Sequence, residues 1–156
     1  MKATLEQINQ MQADGVIAHY AIGGGVGATY YLEPAQTVDI DIFVILPFAP
    51  GGSRNNVDPL HDYLSARACT SQGEHIVIAG WRVRFLVPGN ELEQEAVVGS
   101  VPVTLEDIRT WVMLSEHLVA IALYAGRLCP RLAVYRGGRY RRLHAARHPR
   151  TAWVNR

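Results

Sequence analysis

At 156 residues, 49% of them hydrophobic and 19% charged, the chain holds enough apolar material for one domain with a real core and is too short for two of ordinary size. That balance excludes a disordered chain, no apolar run approaches the roughly 18 to 20 residues of a membrane span, and the N-terminus lacks the apolar core of a signal peptide, so the expected location is cytoplasmic, with no membrane partner. The net charge of +1 conceals an asymmetry: residues 1–126 carry all fourteen acids and six of the fifteen Lys and Arg, whereas residues 127–156 carry nine arginines and no acid.

The expected organisation is therefore an acidic body over residues 1–126 and a basic tail over residues 127–156. The two cysteines, Cys69 and Cys129, lie too far apart for a CxxC clip and read as ordinary small residues.

Leu5, Ile8 and Met11 fall at helical spacing and Gly15 closes the segment, which predicts an opening helix over residues 4–14. Residues 16–22 are compact and rich in strand formers, and they run straight into Gly23-Gly24-Gly25: a strand that ends in a glycine turn. A short buried helix over 26–32 follows, stopped by Glu33-Pro34.

Residues 37–46 form the clearest strand of the chain, β-branched and apolar almost throughout and terminated by Pro47. Asp39 and Asp41 interrupt it, and a separation of two residues puts both carboxylates on one face. After a loop over 50–56, Asn56 or Asp58 is placed to cap a helix over about 58–69. Residues 74–78 and 82–87 alternate around Ala79-Gly80 and predict a tight hairpin. Asn90 caps a helix over 91–98, a strand pair occupies 101–113, and Ser115 caps a last helix over 116–125 ended by Gly126. This order predicts an α/β (α+β) fold, a small mixed sheet flanked by helices.

Two carboxylates side by side on a buried strand are costly unless a cation neutralises them. Mg²⁺ suits them, because it is a hard ion that takes one or two carboxylates together with water and phosphate oxygens. A glycine turn opening into a helix supplies free N–H groups to a phosphate. Taken alone, the glycines read as a plain turn and the aspartates as a solvated sheet edge; taken together they read as a metal–nucleotide site.

Ala21-Ile22-Gly23-Gly24, followed after a short helix by Thr37-Val38-Asp39-Ile40-Asp41-Ile42-Phe43-Val44, resembles the signature of the nucleotidyltransferase superfamily, the fold of DNA polymerase β and of aminoglycoside nucleotidyltransferases. A looser likeness through Gly80–Pro88 and Ser115–Leu123 is to small prokaryotic members near the antitoxin and abortive-infection branches. The resemblance implies that Gly23 and Gly24 cradle the phosphates of an NTP and that Asp39 and Asp41, the catalytic carboxylates of active members, hold two Mg²⁺ ions. It also implies a third carboxylate on a later strand. Residues 82–86 occupy that place and present Arg82 and Arg84 instead. Glu74 is a substitute acid, or a solvated residue at a strand start. Arg84 is assigned to the nucleotide phosphates, since guanidinium pairs with phosphate oxygens; the alternative is a surface arginine paired with an acid such as Glu74.

The missing acid divides the functional expectation. One reading is a minimal enzyme transferring a nucleotidyl group to a protein, RNA or small-molecule hydroxyl. The other is a catalytically degenerate nucleotide-binding or interaction module, working with a protein partner as in a toxin–antitoxin pair, or as a homodimer. His19, His61, His75 and His117 show no metal-ligand spacing and read as structural or exposed, and neither a P-loop nor a GxSxG elbow is present.

In the tail, Arg136, Arg139, Arg141 and Arg142 interleave with Tyr135 and Tyr140. That pattern fits an arm that binds nucleic acid by charge and stacking. A poorly ordered end, or the out-of-frame end of a longer gene, explains arginine without acid equally well.

Overall fold

A computed structural model of the chain describes residues 1–32, 37–47 and 57–126. The basic tail with Cys129, the loop with Asn56 and the Glu33-Pro34 stop lie outside the described residues. In chain order the elements are α1 (Lys2–Ala13), β1 (His19–Ile22), α2 (Gly24–Thr29), β2 (Asp39–Ile45), α3 (Asp58–Ser65), β3 (Thr70–Gln72), β4 (His75–Ile78), β5 (Trp81–Leu86), α4 (Glu91–Val98), β6 (Val101–Leu105), β7 (Ile108–Val112) and α5 (Ser115–Tyr124).

The strands form one seven-stranded mixed sheet in the order β3-β4-β5-β2-β1-β7-β6. The pairs β2/β5 and β1/β7 are parallel, and the rest are antiparallel. Two hairpins are closed by residues that both adopt positive φ, Ala79 and Gly80 in one and Glu106 and Asp107 in the other, which is the turn geometry that matches strand twist. The fold is thus mixed α/β with helices against a sheet, as the order of elements predicts.

Alternation along β2 divides the interior in two. Ile40, Ile42 and Val44 join Leu5, Ile8 and Met11 of α1 and Leu60 and Leu64 of α3 in the larger core. Each such side chain, fully withdrawn from water, contributes roughly 1.5–3 kcal/mol. Phe43 turns the other way, into a smaller cluster with Ala21, Met113 and the α4 residues Ala96 and Val97, against which Leu118 and Ile121 of α5 pack. This second side is thinly covered. α5 has no fully buried residue, and Val119, Leu123 and Tyr124 are exposed along it.

Several local expectations are corrected. Ser115 lies inside α5 and bonds Glu116, while Leu114 is the N-cap without a side-chain bond. Asp58 likewise is the first helical residue of α3 rather than its cap, Val57 taking that position. That helix stops at Ser65, and the sequence after Cys69 forms the short edge strand β3, too polar to be read as a strand. The helix after the glycines starts at Gly24, not at Val26, and β1 starts at His19 rather than residue 16, because α1 and its turn use Val16 and Ile17 to close back on Met11. Asn90 does cap α4, accepting a bond from the Glu93 amide.

Candidate metal and phosphate site

Asp39 and Asp41 are the first and third residues of β2, so they share the face of Phe43. They stand at the strand's opening end rather than its middle, which leaves Asp39 33% and Asp41 12% exposed. β5 runs parallel beside them with Asp39 opposite Arg82 and Asp41 opposite Arg84. An acidic pair on one strand therefore faces a basic pair on the next.

Arg84 closes on Asp41. Its Nε and Nη2 both donate to Oδ1, at 2.9 and 2.8 Å, and the guanidinium is 18% exposed. Nη1 lies 3.9 Å from Oε2 of Glu74, which sits in the turn before β4 and is 81% exposed. Asp39 reaches a different partner: His75 Nε2 lies 3.2 Å from its Oδ2, and Nδ1 of the same ring lies 3.1 Å from Arg82 Nη2. Since the guanidinium only donates, Nδ1 accepts and Nε2 carries the proton to Asp39. The sequence places His75 among the structural or exposed histidines, and the structure seats it against Asp39. The signal for it is the two-residue hairpin turn, which pairs Ile78 with Trp81 and so brings alternate residues of β4 alongside Arg82 and Arg84.

The glycine turn meets the Asp41 carboxylate from the other side. The Gly23 amide donates to the Asp41 carbonyl at 2.9 Å, prolonging the β1–β2 pairing by one bond. Gly24 has φ +55°, and a Cβ there would run into the Asp41 carboxylate, 2.9 Å from Cγ and closer still to Oδ2. A Cβ at Gly25 would stand 3.1 Å from Thr37 Oγ1, whose hydroxyl donates to the Asp39 carbonyl. The structure thus brings together Gly23, Gly24, Asp39, Asp41 and Arg84.

What this donor set fits is a single hard divalent ion. Arg84 uses Oδ1 of Asp41 and His75 uses Oδ2 of Asp39, so among the described residues one oxygen of each carboxylate has no protein donor, and that of Asp41 faces the glycine turn. No group of three or more His, Cys, Asp or Glu among the described residues is disposed to hold a metal. A two-carboxylate ion completed by water and phosphate is the Mg²⁺ pattern. Among the described residues the positions of β5 beside these aspartates carry Arg82 and Arg84 rather than a third acid, and Glu74 stands beyond Arg84.

The other histidines stand apart from this site. His19 is 3.1 Å from Ser100 Oγ and edge-on to Trp111, and burial pushes its pKa below the ordinary value. His117 approaches Glu95 at 3.6 Å. Cys69 is a free thiol that accepts from Gln7. Among the described residues no helix is long and apolar enough to cross a membrane.

No family model and no curated protein matches the chain. Among solved structures it is similar to a provisionally named nucleotidyltransferase of Thermotoga maritima, at 12% identity and a TM-score of 0.47, over 84% of this chain and 90% of that one. At that identity and score the likeness assigns no function to this chain.

Proposed function

We propose that the chain is a nucleotidyltransferase-like module that binds a nucleoside triphosphate through one Mg²⁺ ion and does not transfer it. Asp39 and Asp41 would hold the ion, the amides after Gly23 would face the phosphates, and the ion would supply the charge that lets phosphate approach a carboxylate-lined turn. Without a cation, the Asp41 carboxylate beside Gly24 repels phosphate.

One observation carries the non-catalytic half. In register with Asp41 on the parallel neighbour strand stands Arg84, bonded twice to the same carboxylate oxygen. Two-metal phosphoryl chemistry needs a second ion to activate the attacking oxygen. A guanidinium in that position repels such an ion and offers no base to a hydroxyl.

Calorimetric titration of the full-length chain with ATP, GTP, CTP and UTP, each with Mg²⁺ and with EDTA, tests the reading. Binding of at least one triphosphate that EDTA abolishes is expected, with no transfer of α-labelled nucleotide to protein, RNA or itself. Absence of binding to all four removes the nucleotide; detected transfer removes the non-catalytic assignment.

A protein partner is a second element of the proposal, favoured by α5, whose Val119, Leu123 and Tyr124 lie exposed on an apolar helix. Light scattering of the purified chain at increasing concentration reports a homodimer directly, and a constant monomer mass counts against one.

A further inference from the structure

We propose that Arg84 is a built-in competitor of the divalent ion, a guanidinium that weakens metal binding at Asp41 and swings toward Glu74 as an ion enters. The inference rests on the metal half of the reading above and goes beyond it by assigning control of the ion to a residue of the chain.

The geometry for this has three parts. Asp41 and Arg84 are cross-strand partners in a parallel pair, so backbone pairing fixes their separation. Arg84 spends two N–H groups on one oxygen of Asp41, and the other oxygen faces Gly24, where the ion and phosphate would lie. Finally, the third nitrogen of the guanidinium already stands 3.9 Å from Glu74, an exposed carboxylate on the turn between β3 and β4 that bonds nothing else among the described residues.

A dication on the free oxygen of Asp41 would lie a carboxylate's width from a fixed positive charge. Repulsion at that distance, even well screened, lowers the ion's affinity by about ten-fold or more. Swinging to Glu74 would relieve the repulsion at little cost, because the receiving carboxylate is solvated and close. Arg82 does not share this role, since its contact with Asp39 runs through the ring of His75.

The experiment is a titration of the full-length chain with Mn²⁺ alone, read by the loss of free-ion paramagnetic signal, on wild type, Arg84→Gln, Arg84→Lys and Glu74→Gln. Arg84→Gln is expected to bind Mn²⁺ about ten-fold more tightly than wild type, with Arg84→Lys between them. Glu74→Gln should weaken binding only when Arg84 is present, so the double variant should match Arg84→Gln. Unchanged or weaker binding by folded Arg84→Gln overturns the proposal. Should that variant fail to fold, the Arg84 Nε–H resonance of the wild-type chain decides: it must shift as Mg²⁺ saturates, and an unmoved signal at saturation overturns the proposal equally. No nucleotide enters these measurements. Tighter Mn²⁺ binding by Arg84→Gln beside a chain that ignores all four triphosphates keeps this inference and removes the nucleotide, whereas triphosphate binding with unaltered Mn²⁺ affinity does the reverse.

Discussion

Gly24 and Asp41 are in contact across the gap between the glycine turn and β2, with the carboxylate filling the space that any Cβ at Gly24 would take. The positive φ of +55° at Gly24 adds a backbone reason to the steric one. Gly24→Ala is expected to lose about 1–3 kcal/mol of stability, since left-handed strain and the clash act together. It should abolish Mg²⁺-dependent triphosphate binding as well, because Asp41 must rotate away from the turn. Urea denaturation and calorimetry on the same sample check both. An alanine variant with wild-type binding would mean that the contact does not shape the site.

A second expectation concerns the Asp41–Arg84 pair itself. Arg84→Ala strips its charge partner from a carboxylate that is 12% exposed. Removing one side of a buried pair leaves the other uncompensated, and with this partial access to water the loss should be about 1–3 kcal/mol. Divalent ions bound only by the folded state should restore part of it. A melting temperature that Mn²⁺ raises more in Arg84→Ala than in wild type is the expected result, and equal rises in both would contradict it.

These two pairs also show what the sequence made legible. The common face of Asp39 and Asp41 follows from strand period alone, and the approach of Gly23 follows from a strand that ends in glycine and is joined to the next strand through one short helix. Arg84 on Asp41 does not follow in that way. It depends on the register of β2 against β5, a parallel pairing between strands that α3 and the β3–β4 pair separate in the chain, and no local pattern encodes such a register. The sequence could therefore offer Glu74 or a phosphate as the partner of Arg84, but not Asp41. His75 is illegible for a related reason: ligand spacing is a pattern along the chain, whereas His75 on β4 reaches Asp39 on β2 past the intervening strand β5.

His19 provides a pH dependence. Its pKa is lowered in the folded chain, chiefly by burial and against a weaker opposing bond to the Val97 backbone. The folded state therefore binds fewer protons than the unfolded one below the ordinary histidine value of about 6.5. Its contribution to stability is complete above that value and is lost progressively as pH falls through it toward the lowered folded value. His19→Gln keeps a hydrogen-bonding side chain near Ser100 and cannot charge, so its stability should fall less between pH 7 and pH 5 than that of wild type. Denaturant midpoints across that range measure the difference, and parallel curves would assign the acid sensitivity elsewhere.

The two aspartates should differ in what their neutralisation does. Asp41→Asn deprives Arg84 of its principal anion while the amide nitrogen of the new side chain, a donor, competes for the same place. It should lower stability by about 1–3 kcal/mol and remove divalent-ion binding together. Asp39→Asn leaves a more exposed position, and the amide oxygen can still accept from His75 Nε2, so stability should change by less than about 1 kcal/mol. Ion binding should nonetheless drop sharply, because a single carboxylate then remains for the metal. Loss of binding without loss of stability at Asp39, against loss of both at Asp41, separates the metal-facing role of the first from the double role of the second. Equal stability losses in the two variants would mean that the Arg84 pair is no stronger a structural tie than the His75 contact, and the placement of Arg84 as the guard of Asp41 would lose its energetic basis.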